Sequence, residues 1–106
     1  MTVEKAIRTC LGLLAEVGVR NWNVCVVETF SEHPQRYGLC SYRQRMIFLS
    51  AVYLNDDKEM LETMRHEAAH VLSEGDITHG EAFQRALDLV PTQVTHDHEF
   101  RIELQP

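Results

Sequence analysis

A chain of 106 residues, 44% of them hydrophobic, is one domain with enough apolar material for a core and no room for a second sizeable module. Its formal charge of −6, from 16 acids and 10 bases, disfavours tight non-specific nucleic-acid binding, which needs clustered lysine and arginine. No apolar run reaches the roughly eighteen residues of a membrane span, and the charged N-terminal stretch lacks a signal peptide's apolar segment, so a cytoplasmic protein is expected.

In chain order, Val3, Ala6, Ile7, Cys10, Leu11, Leu14 and Val17 recur at helical spacing, and Gly18 stops that helix. The stretch NWNVCVVETF, residues 21–30, is β-branched and aromatic. It reads as a strand partly buried on both faces, with Trp22 and Phe30 packing at its ends. SEHPQR is a turn, with His33 as a loop residue before Pro34. Strands over 36–42 and 45–50 lie close enough to pair as an antiparallel hairpin, with Arg43–Arg45 as its solvated tip or, together with Arg36, a phosphate or substrate contact. The strand over 45–50 is either an ordinary internal strand or an edge that could take an extended peptide.

A long helix over 57–74 follows, capped by Asp56 with Glu59 as capping-box partner and ended by Gly75. Its core face holds Leu61, Met64, Ala68, Val71 and Leu72, with Met60 as a further core residue. Thr78 and Glu81 form a second capping box that opens a helix to about Leu89, and Pro91 blocks its continuation. The tail, about 92–106, ends in EFRIEL, which fits an edge strand or an ordered arm equally well. Its His96 and His98 could chelate, although a polar surface segment explains them as well. Three cysteines, Cys10, Cys25 and Cys40, with no CxxC pair, read as small core residues in a reducing compartment.

The chemistry concentrates in MRHEAAHVLSEGDITHGEAF. His66 and His70 lie one turn apart, about 40° around the helix and opposite its apolar face, with Glu67 on their flank. Two imidazoles so placed can reach one ion, while the glutamate points beside it. His79, after the glycine break, falls at the first position of the next helix, where the positive helix end keeps an imidazole neutral. Three neutral imidazoles leave zinc one open tetrahedral position, and zinc lowers the pKa of water there from about 16 to about 7. Glu67 can then take the proton and pass it to a leaving amine. The competing account is a histidine-bearing solvent face beside a loop histidine. HExxH alone would not decide between them; the helical phase, the opposite apolar face and the third histidine favour one zinc ion. Tyr42, Tyr53 and Arg43 are candidates for stabilising the oxyanion, each with packing or surface exposure as its plainer role.

These segments resemble the SprT-like metalloprotease family, which includes Spartan. YGLCSYRQRMIFLSAVYLN is similar to the family's hairpin, MRHEAAHVL to its zinc-binding helix, and HGEAFQRAL to its third-ligand helix, where His79, Gly80 and Phe83 hold the motif positions. The resemblance implies an α+β fold, a minimal gluzincin-like zincin: an N-terminal helix, a three-stranded sheet with a hairpin, the HExxH helix and the third-ligand helix. It implies His66, His70 and His79 as zinc ligands and Glu67 as the catalytic residue of a peptidase acting on protein or peptide. The best-known members act on proteins crosslinked to DNA. The chain departs from larger members in having no cysteine zinc ribbon, no basic tail and an acidic balance, so its charge does not support DNA as a partner. Two other functions fit an HExxH chain: a non-catalytic zinc-binding module for protein or DNA, and a regulatory peptidase of repressor-type proteins. Glu67 argues against the first and the His-Gly segment against the second. Oligomeric state has no signature in the sequence.

Overall fold

The computed structural model describes residues 1–73 and 79–92. Helix α1 (Val3–Glu16) starts at Thr2, whose hydroxyl accepts the Lys5 amide at 3.1 Å. It ends as Gly18 predicts. That glycine takes φ +84, its amide donates to the Ala15 carbonyl at 3.0 Å, and the Val19 amide donates to the Leu14 carbonyl at 2.8 Å. This bond pair is the Schellman stop, which needs the left-handed conformation glycine adopts freely. The buried stripe of α1 is Ala6, Cys10, Leu13 and Leu14. Leu13 was not expected there, and Val3, expected in the apolar face, is exposed.

Three strands follow: β1 (Asn23–Val27), β2 (Gly38–Ser41) and β3 (Met46–Ser50). Each is shorter than its sequence signal. β2 and β3 form the expected antiparallel hairpin, with Gly38 opposite Leu49 and Ser41 opposite Met46. Its turn closes at Arg45, which takes φ 50 and donates its amide to the Tyr42 carbonyl at 3.3 Å. β1 pairs with β3 in parallel, Asn23 opposite Met46 and Val27 opposite Ser50. The order is β1-β3-β2, so β3 is the central strand. The idea that residues 45–50 offer an edge is therefore corrected: both sides of β3 are hydrogen-bonded, and β2 is the edge on the hairpin side. Centrality also explains the burial of Ile47 and Leu49 to 0% exposure, while Met46 and Phe48 on the other face are only half-buried.

A short 3-10 turn, Ala51–Tyr53, leads to α2 (Asp57–Leu72). Asp56 caps it as expected, accepting the Glu59 amide at 3.1 Å. The buried side of α2 holds Met60, Met64, Ala68, Ala69 and Val71, together with Glu67, while the expected core residues Leu61 and Leu72 pack half-buried at its rim. α1 and α2 pack on each other, α1 also on β1 and α2 also on β2 and β3, so one mixed sheet is covered by two helices around a shared core. α3 (Glu81–Leu89) packs on α2 from the far side, and a second small cluster of Ala69, Phe83 and Ala86 fills that seam.

The N-terminus of α3 differs from expectation. Gly80 is its N-cap, without a side-chain capping bond. Thr78, expected as the cap, lies outside the described residues, as do Glu74, Gly75, His96, His98 and EFRIEL. α3 stops at Leu89 before Pro91, as predicted. The three cysteines are free, with Cys10 in the core. Among the described residues no helix is long and apolar enough to cross a membrane.

Candidate metal centre

His66 and His70 follow from helix geometry alone: residues four apart share a face, and their Nε2 atoms stand 3.2 Å apart. His79 reaches the same point from outside any helix. It precedes the N-cap of α3 and takes φ 57, a left-handed bend, rather than occupying the first helical position. The expected place at the first position of the helix N-terminus is therefore corrected. The bend carries its Nε2 to 3.1 Å from that of His70, and the potential ligand atoms of all three residues lie within 4.8 Å of one another.

That spacing fits a metal. Four ligands held tetrahedrally at about 2.0–2.1 Å from zinc stand roughly 3.3 Å from each other. With Nε2 turned to a shared ion, each ring would carry its proton on Nδ1. His66 has its pKa lowered by burial and, next, by the charge of His79, so the ring stays neutral and keeps a lone pair for an ion.

Phe83 is the floor beneath the trio. Its ring centroid lies 4.9, 4.8 and 4.7 Å from those of His66, His70 and His79, and it is 2% exposed. The sequence marks Phe83 as a motif position without revealing that one aromatic ring braces all three imidazoles. Arg65 was missed altogether. It lies next to His66, and its guanidinium turns to α3, donating from Nε to the Pro91 carbonyl at 3.1 Å and from Nη2 to those of Leu87 and Val90 at 3.2 and 3.3 Å. It thereby gives further partners to carbonyls at the end of α3 and ties that helix to α2.

Glu67 is 7% exposed, and burial pushes its pKa up to about 7, opposed by the positive charge of Arg36. A carboxyl that titrates near neutrality can both take up and release a proton there. Its burial depends on Gly38: a Cβ at that position would meet Thr63 Cγ2 at 2.8 Å and Glu67 Cγ at 3.3 Å. Only a glycine lets the edge strand approach α2 this closely.

Two cavities open beside the centre, of about 530 and 330 Å³, and they share Arg36, Gly38, His66 and Glu67. The larger extends past Glu62 and Thr63, the smaller past Leu39, Cys40 and Tyr42 to His70 and His79. Of the three oxyanion candidates, only Tyr42 reaches this cleft; its hydroxyl donates to the His70 carbonyl and its ring stands edge-on to Trp22 at 5.7 Å. Tyr53 donates instead to the Gln35 carbonyl at 3.1 Å and lies against Tyr37, and Arg43 is exposed in the hairpin turn. Arg36, treated in the sequence as an accessory of that turn, lines both cavities. Cys40 faces the smaller cavity as a neutral thiol, its pKa raised to about 12 by burial and then by Glu67.

The sequence matches the SprT-like family over residues 16–104. The fold is similar to that in the crystal structure of the metallopeptidase zymogen of Methanocaldococcus jannaschii jannalysin, with a TM-score of 0.60 and 15% identity, over 92% of this chain and 86% of that one. No curated protein matches the sequence.

Proposed function

We propose that this chain, which belongs to the SprT-like family, is a zinc-dependent metallopeptidase that hydrolyses peptide bonds in proteins or peptides. The observation that carries this reading is the convergence of three imidazole nitrogens, two pairs of them at 3.1–3.2 Å, beside a buried glutamate.

His66, His70 and His79 would hold one zinc ion. Bound there, zinc supplies Lewis acidity for a scissile carbonyl and lowers the pKa of water to about 7. Glu67 would accept the proton of the attacking water and return it to the leaving amine. Phe83 braces the three imidazole rings from beneath. β2 is the exposed sheet edge lining the cleft, so an extended substrate backbone can pair with it across the Glu67 side. A purely structural zinc site has no use for a carboxyl in the position of Glu67.

The test is a pair of variants. Elemental analysis of the parent should find one zinc per chain and His79→Ala should lose it; undiminished zinc in that variant removes His79 from the site. Glu67→Gln should keep the zinc and lose cleavage of denatured casein by at least about a hundredfold. Parental turnover in Glu67→Gln ends the proton-transfer role. Glu67→Gln also serves to measure binding to single-stranded DNA across a salt series, and flat, weak binding would remove DNA as a partner.

A further inference from the structure

The cleft holds one permanent cation, whose charge acts on Glu67 but to which the mechanism gives no contact with substrate. Arg36 is half-buried and stands where the two cavities meet, beside His66 and Glu67. Of the described residues lining either cavity, it alone carries a fixed positive charge. Among the described residues no carboxylate comes within 4.0 Å of its guanidinium. The two acids nearest in the cleft are otherwise occupied. Glu62 leans to Arg65 at 3.5 Å, and Glu67 is packed behind Gly38. The Arg36 backbone is fixed, its amide donating to the His33 carbonyl at 2.9 Å, so the side chain springs from a formed turn.

A guanidinium held at the wall of a substrate cleft, with its fork unspent, matches a carboxylate by charge and by bidentate geometry. Resting on the peptidase reading, we infer that Arg36 is the specificity-determining residue of this enzyme and selects substrates that place a carboxylate within one or two residues of the bond cleaved. That carboxylate comes from an aspartate or glutamate side chain or from the end of the substrate chain; both present the same two oxygens.

The experiment uses the zinc-loaded full chain and a proteome-derived peptide library read by mass spectrometry. A well-cleaved peptide is then resynthesised in matched forms, glutamate against glutamine beside the cut and free acid against amide at the C-terminus. The expected result is roughly a tenfold preference in kcat/KM for one carboxylate form, carried mainly by KM. The glutamate–glutamine pair and the acid–amide pair tell which source of carboxylate is used. Arg36→Gln should bring the ratio to about one whatever the absolute rates, and Arg36→Glu should favour lysine at the same place. A merely structural role, or one exerted through Glu67, would lower both members of a pair equally and leave the ratio standing, which overturns the inference. Cleavage by the parent without regard to carboxylates also overturns it, with the peptidase reading intact. A zinc-loaded parent that cuts nothing in the library takes down both.

Discussion

His66 and His70 stand one turn apart on a helix whose other side is locked into the core by Met60, Met64 and Ala68, all at 0% exposure. His79 is exposed, outside any regular element, and held at φ 57. The first pair is placed by covalent and helical geometry and would keep its spacing in any folded form of α2. The third is placed by tertiary contacts: Phe83 beneath it, and Arg65 drawing α3 onto α2. A chelating set built from one rigid pair and one docked member concentrates its vulnerability in the docking.

Substitutions can break that asymmetry or sharpen it. The largest effect is expected from Phe83→Ala, which removes a buried ring from beneath all three imidazoles and should cost about 3–5 kcal/mol in denaturant melts. Zinc affinity should fall with it, as the brace common to both sides is lost; an unchanged affinity would mean that His79 is held by something else.

Next is Glu67, on the rigid side. Its carboxyl titrates at about 7 in the folded chain against 4.5 for an unperturbed glutamate. Between those two values the folded state binds more protons than the unfolded one, so this group's contribution to stability falls as pH rises through the window and is flat above it. In metal-free protein, Glu67→Gln should therefore gain stability over the parent by up to about 3 kcal/mol at pH 8 and gain little at pH 4. A variant-minus-parent difference that does not grow with pH refutes this account of the burial cost.

The smallest of the three effects comes from Arg65→Met, which keeps the apolar stem and drops the bonds to Leu87, Val90 and Pro91. A loss of about 1–3 kcal/mol is expected, seen as faster amide exchange in α3 before α2. Exchange rising equally in both helices would show that the docked side is no weaker than the rigid one.

Much of this arrangement is legible in the sequence because it is local. The Asp56 cap, the Gly18 stop, the β2–β3 hairpin and the phase of His66 against Met64 depend on neighbours a few positions away. The parallel pairing of β1 with β3 joins strands some twenty residues apart, and alternation within each strand says nothing of which partner it takes. For that reason β3 could not be placed at the centre, nor β2 at the edge. His79 was legible as a residue type after a glycine, but not as a left-handed bend ahead of the helix. Arg65 was hidden for a different reason: an arginine on a helix looks solvated until the fold shows which carbonyls it meets, whereas Arg36, a possible substrate contact in the sequence, lines the cavities without the hairpin tip it was grouped with.

Tyr37 and Leu39 point outward, 40% and 36% exposed, while between them Gly38 lies against Thr63 and Glu67. Sequence drift should feel Gly38 as a sharp boundary, with almost no latitude there. A single added methyl group there would wedge the sheet from the helix and reopen to solvent the very acid whose behaviour depends on being shut away. Part of the chemistry is thus set by a residue that contributes no reactive atom, only the space it declines to fill.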